Sequence, residues 1–375
     1  MATINGTSGD DTLNGTSSAD KIYGFGGNDT LNGNGGNDQL DGGTGADTMS
    51  GGTGSDIYWV DDVGDSVIEL SGEGNDEVRT TLASYTLGAD VEKLKFIGTG
   101  SFIGVGNDLN NDITGGADPD ILVGEDGHDG LYGGLGDDEL FGGAGFDTLS
   151  GGGGADYMEG GDDNDAYMVD HVDDIVFEIS GGGDGDQAYV SISSYTLPDE
   201  VENVSYSAFT GAFFADGNAL DNIMYGGGGD DFLGGQDGAD TLRGNSGADY
   251  LDGGDGDDLL VGGAGADIFD GGAGADTYRI GYYESGTGTD ADTVASFASG
   301  DLIDVAGWDA NITTGGDQAF SFVGASAFTN TAGELRAASN GTNTIVQGDI
   351  NGDSTADFEI VVAGAVTLAG SDFIL

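Results

Sequence analysis

The sequence predicts an all-β chain: a parallel β-roll, or β-solenoid, of stacked nonapeptide repeats closed by a β-rich C-terminal cap. Three observations predict it. A nine-residue frame, G-G-x-G-x-D-x-U-x with U apolar, recurs in long unbroken runs. Glycine is abundant (78 residues) and proline scarce (2), while 37% of the chain is apolar. The formal net charge is −62, from 69 acidic residues against 7 Lys plus Arg. Collagen would need a three-residue period and many prolines, and a flexible linker would lack regularly placed apolar residues.

The repeats fall into three blocks, giving the divisions 1–59, 106–168 and 217–279, separated by inserts at 60–105 and 169–216 and followed by a terminal segment at 280–375. In the first block the sixth position reads Asp11, Asp20, Asp29, Asp38, Asp47 and Asp56, and the eighth Leu13, Ile22, Leu31, Leu40, Met49 and Tyr58. In the second, Asn111 is followed by Asp120, Asp129, Asp138, Asp147, Asp156 and Asp165. In the third, Asn222 is followed by Asp231, Asp240, Asp249, Asp258, Asp267 and Asp276. All twenty repeats have an apolar residue at position eight, and eighteen have Asp at position six.

Each repeat reads as a turn followed by a short strand. The glycines of G-G-x-G-x-D reach backbone angles closed to other residues. The x-U-x tripeptide points one side chain inward. Two repeats, eighteen residues, make one coil, so Asp11 is expected to face Asp29, and Asp20 to face Asp38. One apolar residue in nine is thin burial against the entropy of ordering so many glycines. A charge of this size also opposes compaction. The missing stabilisation must come from a cationic ligand.

That ligand is expected to be calcium. The turns offer only oxygen: carboxylates at position six and backbone carbonyls, represented by Gly24, Gly27, Gly33, Gly36, Gly42, Gly45, Gly133, Gly136, Gly142, Gly145, Gly253, Gly256, Gly262 and Gly265. Oxygen-only, flexible sites suit calcium's six to eight ligands better than magnesium's strict octahedron. Ions between stacked turns would number about fourteen, weakest where Asn111 and Asn222 start their blocks, and would lower −62 to about −34. At free calcium near ten times Kd each contributes roughly 1.4 kcal/mol, so calcium decides between coil and fold.

The two inserts are copies of one another. Val67-Ile68-Glu69-Leu70-Ser71-Gly72 matches Val176-Phe177-Glu178-Ile179-Ser180-Gly181, Ser84-Tyr85-Thr86-Leu87 matches Ser194-Tyr195-Thr196-Leu197, and Val91-Glu92-Lys93-Leu94 matches Val201-Glu202-Asn203-Val204. Their alternating pattern reads as strands. We expect wider coils that continue the stack, with aromatic residues filling a broader interior; polysaccharide binding is the second reading. The terminal segment carries apolar strands such as Phe358-Glu359-Ile360-Val361-Val362, which cap the open end of the array. Asp349-x-Asn351-x-Asp353-x-x-x-Asp357 has the spacing of an EF-hand-like loop, with Ser354 where glycine is expected; a polar turn is the competing reading.

Several function classes are excluded or disfavoured. The charge repels nucleic acid and anionic membrane surfaces. With no cysteine there is no disulfide or thiolate metal site. No apolar run is long enough for a transmembrane helix. His128 and His171 are the only histidines, and neither lies in H-E-x-x-H. His128 occupies a variable turn position and His171 sits among Asp170, Asp173 and Asp174, so both are read as solvated. There is no G-x-S-x-G and no P-loop. The regular carboxylates match metal binding rather than an acid–base pair. No catalytic or organic-cofactor residue is assigned, and the expectation is a non-enzyme. The alternative is an extracellular polysaccharide-acting enzyme (a lyase, epimerase or glycosidase) with its site in the inserts.

The G-G-x-G-x-D-x-U-x array resembles the RTX (repeat-in-toxin, hemolysin-type) family of calcium-binding secreted proteins. The C-terminal segment resembles the terminal domain of serralysin-type proteases and of related lipases and epimerases, on Gly333-Glu334-Leu335-Arg336, Gly348-Asp349-Ile350-Asn351-Gly352-Asp353, Ala356-Asp357-Phe358 and Asp372-Phe373-Ile374-Leu375. The resemblance implies an uncleaved C-terminal signal read by a type I (ABC-transporter) export system. That agrees with a Met1–Leu13 segment that has no basic region followed by an apolar run. It also implies a calcium switch: unfolded where calcium is low, folded outside the cell. The expected location is secreted, extracellular or cell-surface associated.

Overall fold

A computed structural model describes every residue except Phe209 and Tyr282–Glu284. The chain is all-β, a parallel β-solenoid, with two single-turn 3-10 segments at Gly288–Asp290 and Gly370–Asp372. It forms two compact units, Met1–Asp186 and Gln187–Leu375. Among the described residues no helix is long and apolar enough to cross a membrane.

In the first unit alternate strands build opposite faces. One face stacks Thr3–Asn5, Lys21–Tyr23, Gln39–Asp41 and Ile57–Val60, then the insert strands Glu77–Thr80 and Lys93–Phe96, then Asp112–Thr114, Gly130–Leu135, Thr148–Gly153 and Ala166–Val169. The other face carries two shorter sheets, Thr12–Asn14 to Ser66–Val67 and Ser84–Thr86 to Ile175–Phe177. All these pairings are parallel. Within the blocks the register is eighteen residues, as in Ile4↔Ile22 and Leu122↔Leu140.

Many strands are longer than the three residues that the repeat predicts. Thr30–Gly35 runs on through its turn, pairing Asn34 with Gly52 and Gly35 with Thr53. The bend is made inside the ladder, at left-handed positions such as Asn34 (φ 73°) and Gly52 (φ 81°). A stacked neighbour bending at the same place keeps the hydrogen bonds in register.

The inserts continue the stack, with a correction to their expected geometry: their coils are not uniformly wider. Ile57 pairs with Glu77, twenty residues on, but Glu77 pairs with Lys93 after only sixteen. The aromatic filling is local: Phe96 and Phe102 are buried and stacked at 4.6 Å.

In the second unit one face runs from Gln187–Val190 through Asn203–Tyr206 and the third block to Thr277–Arg279, Leu302–Asp304 and Phe373–Ile374. The other runs from Ser194–Thr196 to Asp292–Val294, which pairs with Phe358–Val362. Thr344–Asp349 and Glu334–Ser339 then add antiparallel. The change of strand direction ends the repeating pattern, and Trp308, Phe320 and Phe358 pack beneath it.

The core is made by the eighth-position side chains. Ile22, Leu31, Leu40, Leu122, Leu131, Leu140, Leu233, Leu242 and Leu251 are all fully buried. They stand in only two facing rows, one from each sheet, so a truncation has few neighbours able to close over it. Leu140→Ala is expected to cost about 2–5 kcal/mol in urea unfolding of the calcium-loaded protein, whereas Glu139→Gln, on the exposed face, should stay within about 0.5 kcal/mol.

Candidate metal centres

The sixth-position carboxylates form ladders along both edges of each roll. Each aspartate Oδ1 accepts the backbone N–H of the aspartate one coil earlier. The first-unit series includes Asp11 to Asp29 at 2.7 Å, Asp20 to Asp38 at 2.6 Å, Asp29 to Asp47 at 2.7 Å and Asp38 to Asp56 at 2.6 Å, donor first. The second block repeats the bond at Asp120 to Asp138, Asp129 to Asp147, Asp138 to Asp156 and Asp147 to Asp165. The third repeats it at Asp231 to Asp249, Asp240 to Asp258, Asp249 to Asp267 and Asp258 to Asp276. The eighteen-residue pairing expected from the repeat is therefore present, carried by an amide–carboxylate bond that sequence reasoning did not foresee.

The other oxygen, Oδ2, separates two kinds of rung. At the start of each ladder it is satisfied locally: Asp11 takes the N–H of Thr7, Asp20 that of Thr16, Asp120 that of Gly116 and Asp231 that of Gly227, at 2.6–2.7 Å. Asn111 and Asn222 do the same through Oδ1, from Asn107 and Asn218. Their Nδ2 groups donate to the backbone carbonyls of Glu92 and Glu202, closing the ladder with a neutral group. Further in, among the described residues, Oδ2 of Asp29, Asp38, Asp47, Asp56, Asp129, Asp138, Asp147, Asp156, Asp165, Asp240, Asp249, Asp258 and Asp276 is buried and meets no hydrogen-bond donor. Asp267 lies on the same ladder, its amide bonded to Asp292.

The glycines explain how these oxygens are accommodated. A Cβ on any of the first-position residues Gly24, Gly33, Gly42, Gly133, Gly142, Gly253 or Gly262 would lie 2.1–2.4 Å from the Oδ2 of the aspartate five residues on. At Gly142 it would also lie 2.6 Å from the carbonyl oxygen of Gly160 in the next coil. A carboxylate oxygen and a carbonyl oxygen thus converge over a bare Cα. The fourth-position glycines Gly27, Gly36, Gly45, Gly136, Gly145, Gly256 and Gly265 have φ between 106° and 150°. They stack so closely that a Cβ on Gly145 would come within 1.8 Å of the Gly127 carbonyl. Recurrent buried oxygens, with no cationic side chain among them, fit a hard divalent cation held between turns.

The ladders also run beyond the repeats. Asp47 donates its N–H to Asp65, Asp56 to Asp76 and Asp76 to Glu92. Asp156 and Asp165 donate to Asp174 and Asp186, and Asp267 and Asp276 to Asp292 and Asp301. Asp65 and Asp174 keep the eighteen-residue step beyond the last repeat, but the other acceptors fall outside the nine-residue frame, at steps of 20, 16, 21 and 25 residues. The copied inserts held the available signal: an acid at matching places in both.

The Asp349–Asp357 loop is arranged differently. Asp349 accepts the N–H groups of Gly352 and Ser354, and Asp357 takes those of Ile350 and the Asn351 side chain. The four oxygens of Asp349 and Asp357 are thus engaged within the loop, and Asp353 accepts the Thr355 N–H through Oδ1. His128 and His171 are exposed, and their Nδ1 atoms accept the N–H groups of Phe146 and Asp173.

These sites define a solenoid whose rungs are acidic oxygens suited to a hard cation. The RTX calcium-binding nonapeptide repeat matches residues 5–40, 23–58, 32–67, 105–140, 132–167, 216–251 and 243–278, just over half of the chain. The chain belongs to that family and is a calcium-binding repeat protein. Among solved structures it is similar to the AlgE6R3 subunit of the Azotobacter vinelandii mannuronan C5-epimerase, at 28% identity over 41% of this chain and 78% of that one, with a TM-score of 0.20. It is also similar to the extracellular lipase LipA of Serratia marcescens, at 15% identity over 86% of this chain and 45% of that one, with a TM-score of 0.28. No curated protein matches it significantly.

Burial, the leading cause, raises the inner carboxyls above their ordinary range: Asp47 to about 6, Asp56, Asp138, Asp147, Asp240 and Asp249 to about 7, and Asp165 to about 8. At Asp20 the N–H groups of Ala2 and Thr16 outweigh burial and hold the carboxyl low. A carboxyl raised in the folded state favours the protonated fold. Without metal, these groups contribute stability that is complete below about pH 4 and is lost as pH rises through 6–8. Calcium competes with the same protons. In EDTA, the β signal in circular dichroism should survive near pH 4 and vanish by pH 8. The calcium needed for half-folding should rise at least about tenfold from pH 7.5 to 5.5.

Proposed function

We propose that the chain is a secreted calcium-responsive scaffold, exported unfolded by a type I (ABC-transporter) system and folding when it meets extracellular calcium. Its role is structural or interactive, at the cell surface or in the extracellular matrix. The observation that carries this reading is the set of buried carboxylate ladders in a chain of net charge −62. Stripped of cations, each inner rung sets like charges against each other in a poorly solvated place. Low internal calcium therefore keeps the chain open for passage, and external calcium closes it.

The terminal segment supports the export half of the proposal. Its resemblance to serralysin-type terminal domains rests on Gly333–Arg336, Gly348–Asp353 and the terminal Asp372–Leu375. The antiparallel strands Thr344–Asp349 and Glu334–Ser339 give the second unit a closed end, as a stacked array requires. We assign no catalytic residue. Most of the buried carboxylate oxygens without a donor belong to sixth-position aspartates, on which glycine carbonyls converge.

Circular dichroism during calcium titration of the full chain tests this. The expected result is coil in EDTA at pH 7.5 and a cooperative gain of β-structure at roughly 0.1–1 mM calcium. Magnesium at the same concentration should leave the chain largely unfolded. An ordered protein in EDTA at that pH, or equal folding by magnesium, would overturn the assignment.

A further inference from the structure

Where the first and second blocks pass into their inserts, a third carboxylate joins the ladder from outside the nine-residue frame. Asp56 and Asp76 are successive rungs, and Glu69 reaches them from the segment between Ser66–Val67 and Glu77–Thr80. One oxygen from each of the three lies within 4.8 Å of the others, and all three residues are buried. Among the described residues Asp56 Oδ2, Glu69 Oε2 and Asp76 Oδ2 meet no donor. The remaining glutamate oxygen is held by the buried Tyr58 hydroxyl, which itself accepts the N–H of Gly51 at 2.7 Å. The second insert builds a matching cluster from Asp165, Glu178 and Asp186, again within 4.8 Å, with the Tyr167 hydroxyl donating to one Glu178 oxygen while the other takes a long bond, 3.3 Å, from the Gly161 N–H. The tyrosine-to-glutamate spacing is eleven residues in both, although the ladder step is 20 in one and 21 in the other.

The third block shows the contrast. Its closing tyrosine, Tyr278, is shared between the Ser296 carbonyl at 2.7 Å and Oδ2 of the next rung, Asp301, at 3.3 Å; that Oδ2 is also taken by the Ala298 N–H at 2.6 Å, and no glutamate joins them. The tyrosine that ends a block is thus paired with a glutamate where an insert follows.

Three carboxylates around one small volume repel each other more than the two of an ordinary rung, and attract a divalent cation more strongly. Calcium affinity rises with the number of charged ligands and with site rigidity, and the tyrosine bond supplies the second. We propose that Asp56, Glu69 and Asp76, and likewise Asp165, Glu178 and Asp186, form two calcium sites tighter than the repeat rungs, which fill first and pin the last coil of each block to its insert. This rests on the calcium reading above. Tyr58 and Tyr167 are positioning residues.

The test is competition between the full chain and a fluorescent calcium chelator, with circular dichroism in parallel. The wild type should show two equivalents bound at least about tenfold more tightly than the rest. Glu69→Gln, which keeps the tyrosine's acceptor, should lose one of them and Glu178→Gln the other. The double variant should lose both yet still gain β-structure at higher calcium. Tyr58→Phe should weaken its site by about tenfold without abolishing it. If calcium folds both wild type and double variant and their titrations superimpose, the junction sites are wrong while the calcium reading stands. If the double variant loses its β-structure at saturating calcium, the glutamates act as packing groups and the proposal falls. If calcium neither binds nor folds the wild type, the underlying reading falls as well.

Discussion

The bond between an aspartate carboxylate and the backbone amide one coil earlier is the constraint on which the rest of this architecture depends. It fixes the spacing of the turns, and it takes only one of the two carboxylate oxygens. The other is left buried against a glycine Cα, where neither water nor a side-chain cation reaches it. A fold built this way cannot be neutral about its ionic surroundings. The apolar spine is only two facing rows of side chains, and four ion pairs found among the described residues do little against so much negative charge. On the proposed reading cohesion passes to cations bound between coils, and the glycines are the steric condition for that transfer.

The ladders have ends, and the ends are chemically distinct from the middles. Threonine and glycine amides satisfy the first carboxylates, so a ladder opens on ordinary hydrogen bonds, and oxygens without a donor begin only one coil further in. Asn111 and Asn222 make the same transition without a charge. At the other end the acceptors come from residues outside the repeats, so the inserts and the terminal segment complete the last rungs of the blocks that precede them.

Much of this was readable from the sequence, for a physical reason. A period of nine with an obligatory apolar eighth residue admits few packings, and the coil length, the stacking of Asp11 on Asp29 and the core rows of Leu31, Leu122 and Leu242 all follow from it. The continuation into the inserts was not readable. Glu69, Asp76 and Asp186 stand at irregular distances, and only the path of the backbone between strands brings them onto the ladder. Coil width was misjudged for the same reason: hydrophobic alternation marks strands but does not measure the turns between Glu77–Thr80 and Lys93–Phe96. The Asp349–Asp357 spacing shows the converse, since at metal-loop intervals both oxygens of Asp349 and of Asp357 accept donors from their own turn.

The direction of the amide–carboxylate bond bears on how the molecule can be divided. Every coil borrows its acceptor from the coil that follows, so a piece cut neatly at the end of a repeat block is not self-sufficient. A fragment ending at Tyr58 would strand the amides of Asp47 and Asp56, whose acceptors are Asp65 and Asp76. Extending it past Glu92 would restore both, together with the acceptor for Asp76. The insert borrows in its turn, since the Phe102 amide takes its acceptor from Asp120 of the next block, so grafts or deletions that respect the nine-residue period alone would leave a frayed end.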